Sequence, residues 1–253
     1  MDAIFRVDGH RVVTGPKAAG PWDARMQHGS APASLVTWAA ERIPTSVPMH
    51  IARVSIDLMR PVPVAPLTLQ TEVLREGRKI QLCAVRLFAG GALTAGATVL
   101  KVKAQAEPLP PDIVEPPLDV ATPDQSRVEP QNSPFGTGMS IRAARGRFGG
   151  PGPGAIWYRA DRPLVAGSPI SQAMRAVVAS DFCNASSALD FRSWTFLNAD
   201  LTVSLAREPV GEWILLDAES WIGPDGAGLA MARLVDTKGY FGRCVQSLVI
   251  EKR

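Results

Sequence analysis

The sequence predicts an α+β protein made of two tandem antiparallel-sheet domains, each wrapped on a long helix, whose strands form one continuous sheet. Three observations lead to this fold class. The two halves of the 253-residue chain repeat each other, both halves have the same order of predicted elements, and a proline-rich segment separates them. The predicted boundaries are an N-terminal domain over residues 1–103, a linker over 104–134 and a C-terminal domain over 135–253.

An ungapped repeat relates the two halves at an offset of 147 positions. The matched residues are Arg60 with Arg207, Leu67-Thr68-Leu69 with Ile214-Leu215-Leu216, Glu72 with Glu219, and Arg86-Leu87 with Arg233-Leu234. Solenoid repeats have periods of about 20–50 residues, so this longer period indicates two copies of one small domain. Ligand sites in such a chain tend to lie between the copies.

The first copy predicts one strand, one helix and four further strands. Residues 4–13 alternate loosely in polarity, as a strand does, and a glycine- and proline-rich loop covers 14–31. A helix is predicted from Ser30-Ala31-Pro32, because proline fits the first helical turn, and it ends before Pro44. The strands that follow are expected at 51–60, 67–76, 79–88 and 92–103. Consecutive hairpins of this kind imply an antiparallel sheet.

The linker contains eight prolines, which remove backbone donors and indicate an extended connector. In the second copy, Ser168 is the predicted N-cap of a helix from Ile170 to about Ser180, and a polar stretch covers 182–194. The predicted strands are 138–148, 155–162, 196–206, 213–222, 227–236 and 240–251. A helix of about three turns against a long antiparallel sheet, used twice, resembles the double hotdog fold.

Composition limits the classes of function. Hydrophobic residues make up 46% of the chain and charged residues 20%, which is enough for a buried core. No secretory signal or membrane-spanning run is predicted, and three widely spaced cysteines fit a reducing cytosol. We therefore expect a cytoplasmic protein that does not bind a membrane. Three isolated histidines do not form a metal-binding pattern, so no metal site is expected.

The densest positive charge is the stretch from Arg142 to Arg147, within a chain of net charge +3. Two interpretations stay open: a solvated strand face, or a landing site for a polyanion such as the phosphates of coenzyme A. Nucleic-acid binding is not expected, because no aromatic residues are interleaved with the charge. The GxSxG elbow of α/β-hydrolases and the lysine of a phosphate-binding loop are absent from the sequence.

Three short motifs in the second half resemble those of the type II acyl-CoA thioesterases. Asp181 follows Ser180 at the end of the second helix, as the family's aspartate does. Asn198 stands two residues before Asp200, where the family typically has threonine, and Gln246 follows a valine in the last strand. In the first half, the family's Arg-Pro and its acidic-Gly hairpin match Arg60-Pro61 and Glu76-Gly77. The resemblance covers most of the chain outside the linker.

The resemblance implies hydrolysis of acyl-CoA thioesters, without a cofactor, by water held between Asp181, Asn198 and Gln246. The residues themselves leave alternatives open. A carboxylate at a helix C-terminus is disfavoured by ~0.3–1 kcal/mol, so Asp181 is either functional or an exposed turn residue. Gln246 either holds the same water or faces solvent. Asn198 can donate and accept hydrogen bonds but cannot act as a hydroxyl, and it could instead bond its own backbone.

The loop before the first helix contains Gln27-His28-Gly29. Hotdog enzymes often place a glycine-containing loop here, and its N–H groups and the helix N-terminus can polarise a thioester carbonyl. We therefore expect His28 and Gly29 to bind substrate, with Gly29 permitting close approach. His28 could be a base or a donor, or an ordinary surface histidine. Trp22, Trp38, Trp157 and Trp194 are predicted to be core residues or walls of an acyl tunnel.

Three functions follow from these patterns. The first is an acyl-CoA thioesterase, and the second is a non-catalytic acyl-CoA or lipid-binding protein that lost its rate through the change to Asn198. The third is a structural module that binds neither. The two copies should pair within the chain, with both helices on one side of the sheet. Further association into a homo-oligomer through sheet faces or edges is also compatible with the sequence.

Overall fold

The computed structural model describes residues 2–108, 110, 113, 118–186 and 189–253. It contains an antiparallel sheet of 14 strands in the described part of the chain. In the first copy the strands are β1 (Phe5–Asp8), β2 (Arg11–Thr14), β3 (Met49–Asp57), β4 (Leu67–Glu76), β5 (Ile80–Ala89) and β6 (Ala92–Lys103). The later strands are β7 (Arg127–Val128), β8 (Met139–Arg145), β9 (Gly154–Ala160), β10 (Trp194–Asn198), β11 (Asp200–Leu205), β12 (Ile214–Ile222), β13 (Ala227–Asp236) and β14 (Gly239–Lys252).

The two copies form one continuous sheet, as predicted. Its order is β1-β2-β4-β5-β6-β3-β11-β14-β13-β12-β9-β8-β7, and β10 also pairs with β14. The copies join where β3 and β11 pair antiparallel. At that junction the hydroxyls of Ser55 and Thr202, which are repeat-equivalent residues, lie 2.8 Å apart. The 147-residue offset also maps β5 onto β13 along their full length. The double hotdog fold is therefore confirmed.

Two antiparallel helices pack against the inner face of this sheet. Helix α1 (Ser30–Glu41) begins after Gly29, has Pro32 in its first turn and buries most of its length. Helix α2 (Gln172–Ser180) is followed by the short helix α3 (Cys183–Ser186). The predicted N-cap of α2 was wrong: Ser171, not Ser168, accepts the hydrogen bond from the N–H of Met174, at 3.1 Å. Ser168 instead accepts hydrogen bonds from Trp38 of α1 and from Arg42, which directly follows α1.

Two further predictions differ from the structure because of local backbone breaks. The strand expected at 4–13 is a hairpin of β1 and β2, since Gly9 takes a positive φ of 55° between them. The strand expected at 196–206 is divided at Ala199, whose N–H donates to the carbonyl of Ser247. This break lets β10 and β11 pair with different stretches of β14.

The hydrophobic core is shared by both copies. Leu35 of α1 and Val177 of α2 belong to the same buried cluster as Val54 of β3 and Val203 of β11. On the opposite face of the sheet, residues 118–121 of the proline-rich segment cover the second copy, where Trp157 Nε1 donates to the carbonyl of Ala121 at 2.9 Å. Every helix in the described part of the chain is too short or too polar to cross a bilayer.

Candidate active site

The carboxylate of Asp181 lies where the C-terminus of α2 meets the N-terminus of α1. Asp181 is 4% exposed. Its Oδ2 accepts a hydrogen bond from Ser30 Oγ at 3.1 Å and lies 2.9 Å from His28 Nδ1. Its Oδ1 accepts a hydrogen bond from Asn198 Nδ2 at 2.9 Å. The two helices run antiparallel, so a carboxylate placed unfavourably at the end of α2 is stabilised by the positive N-terminus of α1.

Gly29 makes this contact between the two helices sterically feasible. A Cβ at position 29 would lie 2.5 Å from Oδ1 of Asp181 and 2.8 Å from Oδ2. Any side chain would therefore displace the carboxylate. The sequence predicted that Gly29 would permit close approach of the substrate; in the structure, the space left by its missing side chain admits Asp181. The N–H of Gly29 has no hydrogen-bond partner among the described residues.

His28 is held in a fixed orientation beside Asp181. Its ring stacks on Phe135 at a centroid distance of 4.9 Å and lies 4.5 Å from the ring of Phe182. Its side chain is only 12% exposed. Nδ1 has two neighbours: it accepts a hydrogen bond from the backbone N–H of Ser30 at 3.2 Å and lies 2.9 Å from Oδ2 of Asp181. Nε2 is therefore the ring nitrogen left for another partner.

Asn198 reaches Asp181 from the last residue of β10 and is half-buried. Strict alternation along one continuous strand would place Asp200 on the same face as Asn198, but the structure does not. The break at Ala199 reverses the alternation, and Asp200 Oδ1 accepts a hydrogen bond from the N–H of Ser247. Asp200 is also not among the described residues that line the adjacent cavity, whereas Asn198 is.

Gln246 is fully buried on β14 and both ends of its amide bind backbone groups. Its Nε2 donates to the carbonyl of Asp181 at 3.1 Å, and its Oε1 accepts from the N–H of Asn184 at 3.1 Å. The side chain thus holds the turn between α2 and α3 on which Asp181 lies. Direct contact between Gln246 and a reacting water stays a prediction. The described lining of the cavity includes Asp181 and Asn184 but not Gln246.

A cavity of about 770 Å³ opens beside Asp181, within the usual range for small-molecule sites. One part of its wall is polar and includes His28, Gly29 and Asn198. Another part is aromatic, where Phe191 lies 5.4 Å from Trp22 and 4.7 Å from Phe196 between ring centroids. The aromatic lining consists of Trp22, Phe148, Phe182, Phe191 and Phe196. An apolar group can therefore bind next to a polar reaction centre.

Two residues of the site were not identified from the sequence. Ser30 was interpreted only as the start of a helix, although its hydroxyl binds Asp181. Asn184 was placed in a polar stretch, although its side chain binds the carbonyl of Phe196 at 3.2 Å and borders the cavity. A signal existed in both cases: Ser30 directly follows the predicted site residue Gly29, and Asn184 is a polar residue three positions after Asp181 between Cys183 and Ala185.

The arginines between 142 and 147 do not line the cavity among the described residues. Arg142 donates to the carbonyl of Pro123 at 2.8 Å, and Arg145 forms an ion pair with Asp217 at 2.6 Å. These contacts agree with the solvated strand face and not with a landing site beside Asp181. In the described part of the chain, no group of three or more histidine, cysteine, aspartate or glutamate side chains could hold a metal ion.

Comparisons with known proteins identify both halves. The model of the acyl-CoA thioesterase N-terminal domain matches residues 18–102, and that of the acyl-CoA thioesterase C-terminal domain matches residues 111–250. No curated protein sequence matches the chain. Solved structures with the same fold share little sequence identity with this chain, so these structures support its fold and not its function.

A hot dog fold protein of unknown function from Alicyclobacillus acidocaldarius is similar with a TM-score of 0.76 and 15% identity, over 98% of this chain and 95% of that one. The TesB protein of Mycobacterium avium subspecies paratuberculosis has a TM-score of 0.73 and 16% identity, over 97% and 94%. Acyl-CoA thioesterase II TesB2 of Mycobacterium marinum has a TM-score of 0.66 and 14% identity, over 94% and 97%. With both of its halves matched in order, this chain belongs to the acyl-CoA thioesterase family.

Proposed function

We propose that this protein hydrolyses acyl-CoA thioesters at the cavity beside Asp181. The observation that carries the proposal is the number of hydrogen bonds to the buried carboxylate. A carboxylate oxygen has two lone-pair positions. His28 and Ser30 both lie against Oδ2, whereas among the described residues Oδ1 accepts a hydrogen bond from Asn198 alone. One position on Oδ1 is therefore free to accept a proton from water at the cavity wall.

In this mechanism Oδ1 of Asp181 takes a proton from the water as its oxygen attacks the thioester carbonyl carbon. The free N–H of Gly29, at the N-terminus of α1, donates to the carbonyl oxygen as negative charge develops there. The carbon–sulfur bond then breaks, and the thiolate of coenzyme A leaves and takes up the proton. The products are the free acid and coenzyme A.

The other polar residues position these groups. Asn198 and His28 fix the two oxygens of the carboxylate, so that Oδ1 faces the water in one orientation. Gln246 holds the backbone of the turn that carries Asp181. We assign to Gln246 this positioning role, in addition to the water contact that the family resemblance implies. Substrate binding by His28 and Gly29 is part of the same proposal.

The first test measures thiol release from short, medium, long and aromatic acyl-CoAs with a thiol-reactive dye. We expect turnover that Asp181→Asn reduces at least about 100-fold, because the amide cannot accept the proton but preserves the shape of the side chain. Asp161→Asn, at an exposed position directly after β9 and outside the described lining of the cavity, is the matched control and should retain wild-type turnover. Equal turnover in the Asp181→Asn variant would contradict the role of the carboxylate.

A second candidate function is non-catalytic binding of acyl-CoA, and the identity of Asn198 favours it. A threonine hydroxyl, typical of the family at this position, can relay a proton, whereas the amide of Asn198 is occupied by Asp181 Oδ1. Asn198→Thr discriminates between the two candidates. If the protein is a working hydrolase, we expect the shorter threonine to lose the contact with Asp181 and to lower kcat by about tenfold. A gain of thiol release would favour the binding protein.

A further inference from the structure

Arg60 and Arg207 are repeat-equivalent, but their surroundings differ. Arg207 is neutralised by a two-pronged ion pair with Asp236, at 2.6 Å and 2.8 Å. The side chain of Asp236 is fully buried. Burial disfavours the ionised form, yet hydrogen bonds from Arg207 and from two backbone N–H groups hold the pKa of Asp236 below its ordinary value. In the second copy this arginine therefore has a permanent partner within the protein.

In the first copy that partner is missing. Asp236 ends β13, and the last residue of β5, at the equivalent position, is Ala89. The backbones diverge as well. The N–H of Arg60 donates to the carbonyl of Thr94, whereas in the second copy the corresponding bond to Phe241 comes from Ala206. Arg60 therefore makes this backbone hydrogen bond itself, whereas Arg207 follows the residue that makes it, so the two arginines differ by one position in the local structure.

Arg60 is exposed at the edge of the cavity beside Asp181. Its guanidinium has no hydrogen bond or ion pair to any of the described residues. Among the described residues lining the cavity, Arg60 is the one lysine or arginine. The carboxylate of Asp23, also in the lining, is already paired with Arg25 at 2.8 Å. The site therefore has one available fixed positive charge.

We propose that Arg60 binds a phosphate group of the coenzyme A portion of the substrate. The guanidinium presents several N–H donors in a planar arrangement that matches phosphate oxygens, and it stays charged at any working pH. Binding of this kind anchors the part of the substrate that does not react, and so it lowers KM more than it raises kcat. The identity of the ligand rests on the proposed function, whereas the free charge at the cavity edge does not.

The test compares the wild type with Arg60→Glu by calorimetric titration of two non-hydrolysable thioethers. One carries the whole of coenzyme A, and the other ends at pantetheine and contains no phosphate. We expect Arg60→Glu to weaken binding of the coenzyme A thioether at least about tenfold and to leave the pantetheine thioether unchanged. Arg60→Lys should retain most of the affinity. In turnover assays, KM for acyl-CoA should rise with little change in kcat.

Arg78→Glu is the matched control, since Arg78 is exposed on the hairpin between β4 and β5 and the change in net charge is the same. It should leave both affinities unchanged. Equal weakening of the two thioethers by Arg60→Glu would overturn the phosphate assignment, and would indicate a contact with the acyl group. Unchanged binding of the coenzyme A thioether, or no binding by the wild type, would also overturn it. Because these ligands do not react, selective weakening would support the assignment even if the protein proved not to hydrolyse acyl-CoA.

Discussion

At the scale of single residues, the site depends on the absence of one methyl group. Gly29 allows Asp181 to approach the N-terminus of α1 so closely that a Cβ at position 29 would lie 2.5 Å from Oδ1. Three side chains then bind the carboxylate and leave one acceptor position free. The proposed general base, Asp181, and the proposed backbone donor, the N–H of Gly29, are therefore neighbours because position 29 has no side chain.

Gly29→Ala should therefore impair the site without unfolding the protein. The new methyl group would displace the carboxylate by about 1 Å, and misplacement of that size in a reacting group costs about 100-fold in kcat/KM. Thiol release measures the loss, and circular dichroism checks the fold. Gly96→Ala on β6 is the control, since a Cβ there meets nothing within 4 Å. Wild-type activity in Gly29→Ala would show that the carboxylate can move freely.

At the scale of elements, α1 and α2 contact each other at both of their ends. At one end Ser30 of α1 binds Asp181, beside the cavity. At the other end Ser171, the N-cap of α2, donates to Glu41 of α1 at 2.6 Å. The indole of Trp38 also donates a hydrogen bond there, to Ser168 at 3.0 Å. The repeat therefore supplies two similar helix junctions, and the cavity described above lies at the one that carries Asp181.

Glu41, at the junction with Ser171, makes the stability of the protein depend on pH. Burial raises its pKa above the ordinary value of 4.5, and the hydrogen bond from Ser171 and the nearby Arg42 only partly oppose this effect. The folded protein thus holds the proton more tightly than the unfolded chain. Stability from this group is complete below pH 4.5 and falls as the pH rises through the raised pKa in the folded state.

Glu41→Gln should remove that loss, because the amide keeps the acceptor for Ser171 without the charge. We expect the free energy of unfolding of the variant to exceed that of the wild type at pH 8 and to match it closely below pH 4.5. Urea unfolding at a series of pH values measures the difference. Glu251→Gln, at an exposed position on β14, should show no such divergence. A variant that is less stable than the wild type at pH 8 would contradict the burial effect.

At the scale of the whole molecule, the two copies form one folding unit. Val54 of β3 and Val203 of β11 are paired across the junction and are fully or almost fully buried. The helices of both copies belong to the same core cluster. Separating the copies would expose these apolar surfaces together with an unpaired strand edge, which is unfavourable in water.

Unfolding in urea should therefore proceed in a single cooperative transition. Far-UV circular dichroism and tryptophan fluorescence should give the same midpoint, as expected when no intermediate is populated. Val203→Ala should lower the free energy of unfolding by about 1–3 kcal/mol and so lower that midpoint. The midpoints from circular dichroism and from fluorescence should shift equally. Two separate transitions, with only the second copy affected by Val203→Ala, would show that the copies fold independently.

The sequence by itself determined the repeat, the element order and the double hotdog fold, since these depend on local periodicity and on an offset visible in residues such as Arg60 and Arg207. The family motifs also singled out Asp181, Asn198 and Gln246, although the roles of these residues remain proposals. Tertiary structure alone decided that Gly29 admits Asp181, that Ser30 binds the carboxylate and that the break at Ala199 turns Asp200 away. These contacts join residues more than 100 positions apart or depend on one local break, and neither kind of information is contained in a periodic pattern.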